Sequence, residues 1–320
     1  MSLAVVCASH TPLMNRGPAS SATQGRVKAA FADLAIFVRC YEPDYVIQFG
    51  PDHFNGFFYD MMPSFCIGAG AVSLGDWGGG TGALDVPEEA ALALLDHMRA
   101  DDFDAALSYR MVVDHGFIQM WEAMLGDFRS IPIVPIFVNA AAPPLPTYRR
   151  VRRLGESVGR FAVRTGKRVL LAASGGLSHD PPVPAIRGAA SELRERLIDG
   201  RDPPPEARRL REERVLEAGA LAAAGEGPCK PLNPAWDAEF MDLLRSGQIQ
   251  RLDDFDSDGV RERAGRGGNE TLCWVAAFAA LSAAGPFTVT QTFYEPIPGW
   301  IAGFATMAAR QRDAALQPTA

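Results

Sequence analysis

Apolar residues recur along the chain in two rhythms, and each change of rhythm marks an element. Residues 3 to 9 are almost uniformly apolar and read as a buried strand ending just before His10. From Ser21 the spacing becomes helical, with Val27, Phe31, Leu34, Val38 and Tyr41 on one face, until Glu42-Pro43 stops it. Tyr45 to Phe49 is the next apolar run, ahead of His53. Strand, helix and strand in that order make a βαβ unit, whose default is a parallel pair.

Further along, a strand is predicted near Met62 to Ile67. The Gly-rich stretch Gly75 to Gly82 reads as a flexible turn or lid, since it lacks the lysine of a phosphate-binding loop. Pro87 opens a helix with the face Ala91, Leu94, Leu95 and Met98, and Asp114-His115 opens another, GFIQMWEAML. Ile131 to Val138 is a strong β run that Pro132 and Pro135 mark as an edge or irregular strand. A helix follows with Val151, Leu154, Val158 and Phe161 inward, then an apolar strand from Val169 to Ala173 leading to Gly175, Gly176 and His179. From Asp180 to Gly227 the β signals fade into helical stretches broken at residues 202–205, and Pro234 to Arg245 forms another helix. Asp254, Asp256, Asp258 and Gly259 imitate a calcium loop, but its twelfth position is Gly265 where calcium needs a bidentate Glu, so this is a helix-start turn. After Asn269-Glu270 come the apolar helix TLCWVAAFAALSAA, a last strand over Phe287 to Phe293 and a closing helix over Trp300 to Leu316. The alternation predicts an α/β fold: one domain over residues 1–320, a mostly parallel or mixed central sheet flanked by helices, and a helical excursion after residue 180.

Composition narrows the function. With 48% hydrophobic and 22% charged residues the chain is globular rather than disordered. A net charge of -7 argues against nucleic-acid or anionic-membrane partners, which need basic fields. The five cysteines are odd in number and contain no CxxC pair, which excludes a disulfide framework or zinc–thiolate site and suits a reducing cytoplasm. The start of the chain lacks the basic and apolar blocks of a secretion signal, and no apolar stretch reaches the ~20 residues of a membrane span.

Three of the five histidines, His10, His53 and His179, stand just past apolar strand runs. Open α/β sheets bind ligands there, beyond the carboxyl ends of the strands. Two imidazoles and one carboxylate form the facial triad that suits non-haem Fe(II), and a zinc or two-metal hydrolase could use a similar cluster. Spacing does not choose the carboxylate among 38 acids. Glu270 is attractive behind its glycines, but Asn269 could cap a helix with Glu270 merely in its first turn. His115 could likewise do no more than enter a helix capped by Asp114. His97, between Asp96 and Arg99, reads as surface. Asp52, Asp114 and Asp180 each adjoin a histidine and either bond its ring or point away. Ser174 and Ser178 lie outside any GxSxG elbow, so a serine hydrolase is unsupported.

Taken in order, ASHTPLM at His10, FGPDHFNGFFYDMMPSFCIG at His53, VDHGF at His115, SGGLSHDPP at His179, LNPAWD at 232–237 and GGNETLCWVAAFAAL at Glu270 resemble the class III extradiol catechol dioxygenases, the protocatechuate 4,5-dioxygenase-like group. The resemblance runs from end to end without departure at the functional positions. It implies Fe(II) held by His10, His53 and Glu270, with a substituted catechol and O2 as substrates. It also implies His179 as proton acceptor, His115 as proton donor, a yellow ring-cleaved product, and a homo-oligomer of four or more chains. A non-catalytic relative would be expected to lack His115 or His179, and both are present.

Overall fold

The computed structural model describes residues 3–14 and 16–312. In chain order its elements are β1 (Ala4–Ala8), α1 (Ser21–Tyr41), β2 (Tyr45–Gly50), β3 (Phe65–Gly68), β4 (Ala71–Leu74), β5 (Thr81–Ala83), α2 (Glu88–Ala100), β6 (Ala106–Ser108), β7 (Met111–Val113), α3 (His115–Leu125) and β8 (Ile133–Val138). They continue with α4 (Tyr148–Arg164), β9 (Val169–Ser174), α5 (Ser191–Asp199), α6 (Pro205–Ala223), α7 (Pro234–Arg245), α8 (Ser257–Ala264), α9 (Thr271–Ala283), β10 (Phe287–Ile297) and β11 (Ala302–Gln311).

An eight-stranded mixed sheet in the order β10-β11-β1-β9-β2-β8-β3-β6 carries the molecule, beside a small sheet β5-β4-β7. β1, β9, β2 and β8 run parallel, whereas β11 pairs antiparallel to β1 and β3 antiparallel to β8. The predicted parallel sense of β1 and β2 holds, with β9 inserted between them. Cys7 and Phe49 both pair with Ala173, so the three strands end level with one another. The loops bearing His10, His53 and His179 therefore leave the sheet at one height.

Both faces of the sheet are covered, which is why its strands read as continuous apolar runs rather than as alternations. In β1, Val5 and Cys7 enter the core shared with α4 and α9, while Ala4, Val6 and Ala8 enter the core shared with α1 and α3. Helix α9 is buried from Thr271 to Leu281 and has no polar face, because it is wedged between the sheet and α4. That close packing rests on two glycines one turn apart. A Cβ on Gly155 or Gly159 would stand 2.1 Å from the carbonyl oxygen of Ala276 or Ala280 respectively.

The structure departs from the sequence pattern at four places. β8 is an interior strand, not an edge. Its ladder to β3 joins Ile136–Val138 to Phe65–Ile67 and ends there, leaving Pro135 beyond the last rung on that side. The closing helix over Trp300 to Leu316 is instead strand β11, antiparallel to a β10 that runs on to Ile297; Leu316 lies outside the described residues. β11 is buried on both faces, so its small apolar residues show neither period. Gly75–Gly82 is no loose lid: it holds a short helical turn at Asp76–Gly78 and enters β5. His97 is half-buried between α2 and α4, its ring 5.7 Å from that of Phe161 and its Nε2 3.4 Å from Asp101.

The glycines supply a paired test. Gly159→Ala gains helix propensity of ~1 kcal/mol but drives a methyl into the α9 backbone, and should lose about 1–3 kcal/mol net. Gly25, exposed in α1 with nothing within 4 Å of a built Cβ, should gain about 1 kcal/mol on the same change. Urea midpoints at constant slope read both.

Candidate active site

Each functional side chain is fixed from behind by its own element. His10 follows the end of β1, and its Nδ1 lies 2.8 Å from Ser174 Oγ at the end of β9. His53 stands in the turn after β2, which Asp52 shapes by accepting from the backbone N–H of Asn55, Gly56 and Phe57. Both the backbone N–H and the Nδ1–H of His53 donate to Asp114 Oδ2 at 3.0 Å. The other oxygen of Asp114 caps α3 by accepting from the Gly116 N–H at 2.9 Å. His115, first residue of α3, donates its backbone N–H to Asp76 Oδ1 (2.8 Å) and its Nδ1–H to Asp76 Oδ2 (2.5 Å). His179 donates Nδ1–H to the Leu177 carbonyl at 3.0 Å. A Cβ on Gly267 would sit 1.9 Å from His179 Nε2, so the glycines preceding Asn269 make room for that ring.

These segments converge on Glu270. Its Oε1 lies 3.2 Å from His53 Nε2 and 3.1 Å from His179 Nε2, its Oε2 lies 3.6 Å from His10 Nε2, and Oε2 accepts from the Gly176 N–H at 3.1 Å. His10 and His53 Nε2 are 3.4 Å apart. The ring of His115 stacks on that of His53 with centroids 4.5 Å apart, and ligand atoms of His10, His53 and His115 all fall within 4.8 Å of one another. All five predicted site residues thus share one place, with His53 and His179 both at Oε1 of the carboxylate and His10 at Oε2. Asn269 does not cap α9; it donates to the Ser257 carbonyl instead.

Burial dominates the electrostatics. Desolvation pushes His10 down to about 3, so its imidazole is neutral. Burial alone would lower His53 and raise Glu270. Asp114 and Glu270 reverse the first, holding His53 well above its ordinary value, and His179 and His10 hold Glu270 well below its own. A carboxylate only 3% exposed therefore sits among imidazoles with no lysine or arginine beside it, and positive charge there must come from a proton or a metal ion. Two imidazole Nε2 atoms, where a metal ion can take the place of a proton, beside a carboxylate are a donor set that fits a divalent metal.

The adjacent aspartates have separate fates. Asp114 holds His53, Asp52 holds its own turn, and Asp180 binds the Arg266 side chain and the Lys230 N–H. The turn preceding His179 is anchored by buried Asp237, whose carboxylate accepts from Ser178 N–H, Ser178 Oγ and Tyr294 Oη, each at 2.7 Å. Asp76 was not legible in the sequence. It lies 39 residues from His115 inside a glycine-rich stretch, and only its being the one acid there singles it out.

The histidines and Glu270 lie at the base of a cavity of about 300 Å³, with Phe54, Phe58, Trp77 and residues of α5 and α6 above them. The chain belongs to the family of the catalytic LigB subunit of aromatic ring-opening dioxygenase, which matches residues 4–305. It is 47% identical over 310 residues to the 2,3-dihydroxyphenylpropionate/2,3-dihydroxicinnamic acid 1,2-dioxygenase of Cupriavidus pinatubonensis (strain JMP 134 / LMG 1197), covering 96% of this chain and 98% of the relative. The proteins of the same name from Rhodococcus jostii (strain RHA1), 47% identical over 95% and 97%, and Photorhabdus laumondii, 46% identical over 97% and 98%, are similar along their whole lengths. No helix among the described residues is long and apolar enough to cross a membrane.

Two expectations follow from the supporting contacts. Asp114→Asn removes the acceptor that fixes His53, and should weaken divalent-metal affinity about 10–100-fold in a metal titration. Asp180 is buried, which opposes ionisation, yet the Arg266 guanidinium and backbone N–H groups hold it from 3.8 down to about 2. Its stabilising effect, on the order of 2 kcal/mol, is complete above pH 4 and disappears as pH falls toward 2. Urea titrations of Asp180→Asn should therefore show a loss at pH 7 that closes in acid.

Proposed function

We propose that the chain is an Fe(II)-dependent extradiol dioxygenase that opens 2,3-dihydroxyphenylpropionate, and the corresponding 2,3-dihydroxycinnamate, beside the diol. Both atoms of O2 enter the product, a 2-hydroxy-6-oxo-dienedioate. The observation that carries this reading is the convergence of His10 Nε2, His53 Nε2 and the Glu270 carboxylate at the base of the cavity. These three residues would hold the iron. Ferrous iron bound there supplies a Lewis acid for the diol and an electron path between diol and O2.

His10 is kept neutral by burial, and His53 has its Nδ1–H committed to Asp114, so each presents Nε2 as the ligand atom. His115 also lies within ligand distance, but Glu270 is favoured as the third ligand because its buried charge needs a cation. That leaves His115, held at Nδ1 by Asp76, free to donate a proton from its other nitrogen. His179 has Nδ1–H fixed on the Leu177 carbonyl, so Nε2 is the atom that accepts the proton released by the second phenol.

The site draws residues from 10 to 270, which supports one catalytic domain over residues 1–320. Five free cysteines suit a cytoplasmic location. The assembly is a homo-oligomer, a tetramer or larger, with no nucleic-acid or membrane partner.

The test is anaerobic loading with Fe(II), followed by 2,3-dihydroxyphenylpropionate and O2. A yellow product is expected, whereas no colour with Fe(II) but turnover of esters or phosphates with Zn(II) would overturn the reading. His115→Ala and His179→Ala should each lose at least ~10²-fold in ring cleavage while retaining iron, and Glu270→Ala should lose the iron. Iron loss in either histidine variant would reverse the roles.

A further inference from the structure

The lining of the cavity carries more positive charge than the active site itself uses. Arg196 on α5 and Arg208, Arg211 and Arg214 on α6 all line it. The three on α6 recur every third residue and so lie along one side of the helix. Among the described residues none of the four has a carboxylate within 4 Å, whereas their neighbours Arg201 and Arg209 pair with Asp60 and Glu206 respectively. The cavity's own acids are already engaged. Asp76 holds His115, Glu212 lies 3.5 Å from Arg16, and Glu270 lies among the histidines.

Arg211 ties this wall to the metal site. Its guanidinium donates to the His53 backbone carbonyl at 2.5 Å and to Asn55 Oδ1 at 3.2 Å, leaving further N–H donors unassigned. Burial, then the facing charges of Arg211 and Arg214, push the Arg196 guanidinium below its ordinary pKa, with Glu192 one turn away the counter-charge acting on it. Like charges gathered on the cavity lining, themselves solvent-exposed but beside the buried apolar Phe58 and Leu197, form a site for an anion borne on an apolar stem.

We propose that Arg196, Arg211 and Arg214 are the specificity-determining subsite for the side-chain carboxylate of the catechol, in the same cavity as the metal-site histidines. This rests on the ring-opening reading for the identity of the substrate. The arginines sort a propionate-bearing catechol from an alkyl catechol of the same size.

Two measurements test it independently. The first compares kcat/KM of the Fe(II) enzyme for 2,3-dihydroxyphenylpropionate and for 3-propylcatechol. Arg196→Gln and Arg211→Gln should each cut the preference for the carboxylate by about 10- to 100-fold, chiefly through KM. Loss of the same factor on both substrates, or on neither, overturns the assignment. The second uses the metal-free protein and calorimetric binding of 3-phenylpropionate against its neutral amide. Tighter binding of the acid, abolished in Arg196→Gln, is expected; equal binding of acid and amide overturns it. Should the wild type open neither catechol, the ring-opening reading fails, while the phenylpropionate comparison still decides whether the arginines select a carboxylate.

Discussion

The site depends on one buried negative charge. Removing a carboxylate from water costs several kcal/mol unless its neighbours compensate. Glu270 is compensated by His53 and His179 at one oxygen and by His10 and the Gly176 N–H at the other. Those partners come from the ends of β1, β2 and β9, so the carboxylate can be accommodated only when the three strands are in register. The glycines around 175 and 267 follow from the same demand, because the backbone must approach the carboxylate and the His179 ring without intervening side chains. Packing on the other side locks the arrangement: Trp274 of α9, fully buried, donates its Nε1–H to the Gly175 carbonyl at 3.1 Å. Fold and chemistry are therefore joined at the first turn of α9.

Much of this was visible in the chain. The apolar runs before His10, His53 and His179 are short and bounded by turn residues, which identifies buried strands, and the face Ala91, Leu94, Leu95 and Met98 is buried as its spacing predicts. Asp114 caps its helix as read, although its second bond, to His53, joins residues 61 positions apart and leaves no local trace. What stayed hidden involves partners distant in sequence. β8 has an interior place despite its prolines because of where β3 stops pairing, and nothing within Ile131 to Val138 encodes that. β11 misled because a strand covered on both faces and a buried helix are both simply apolar. Asp76 is an ordinary surface-type residue until the fold buries it, and Arg211 stays exposed but is brought onto the His53 carbonyl by a fold contact 158 positions apart.

Charge is distributed unevenly for the same reason. The chain as a whole is acidic, yet the helical excursion after residue 180 turns a row of arginines toward the cavity. Total charge governs how the molecule meets long polyanions, whereas a pocket answers to the few charges within a Debye length of it. An acidic protein can therefore repel nucleic acid while offering one strongly cationic recess to a small anion.

The placement of β1 bears on how the molecule comes into being. Ala4 pairs with Leu170 on one side and with Arg310 on the other, so β1 finds both of its neighbours far along the chain. Contacts that close such long loops are entropically late. Without those neighbours β1 has unpaired edges, and the His10 ring lacks the Ser174 contact that fixes it. The ring of imidazoles around Glu270 thus closes only once β9 and the start of α9 have joined β1 and β2.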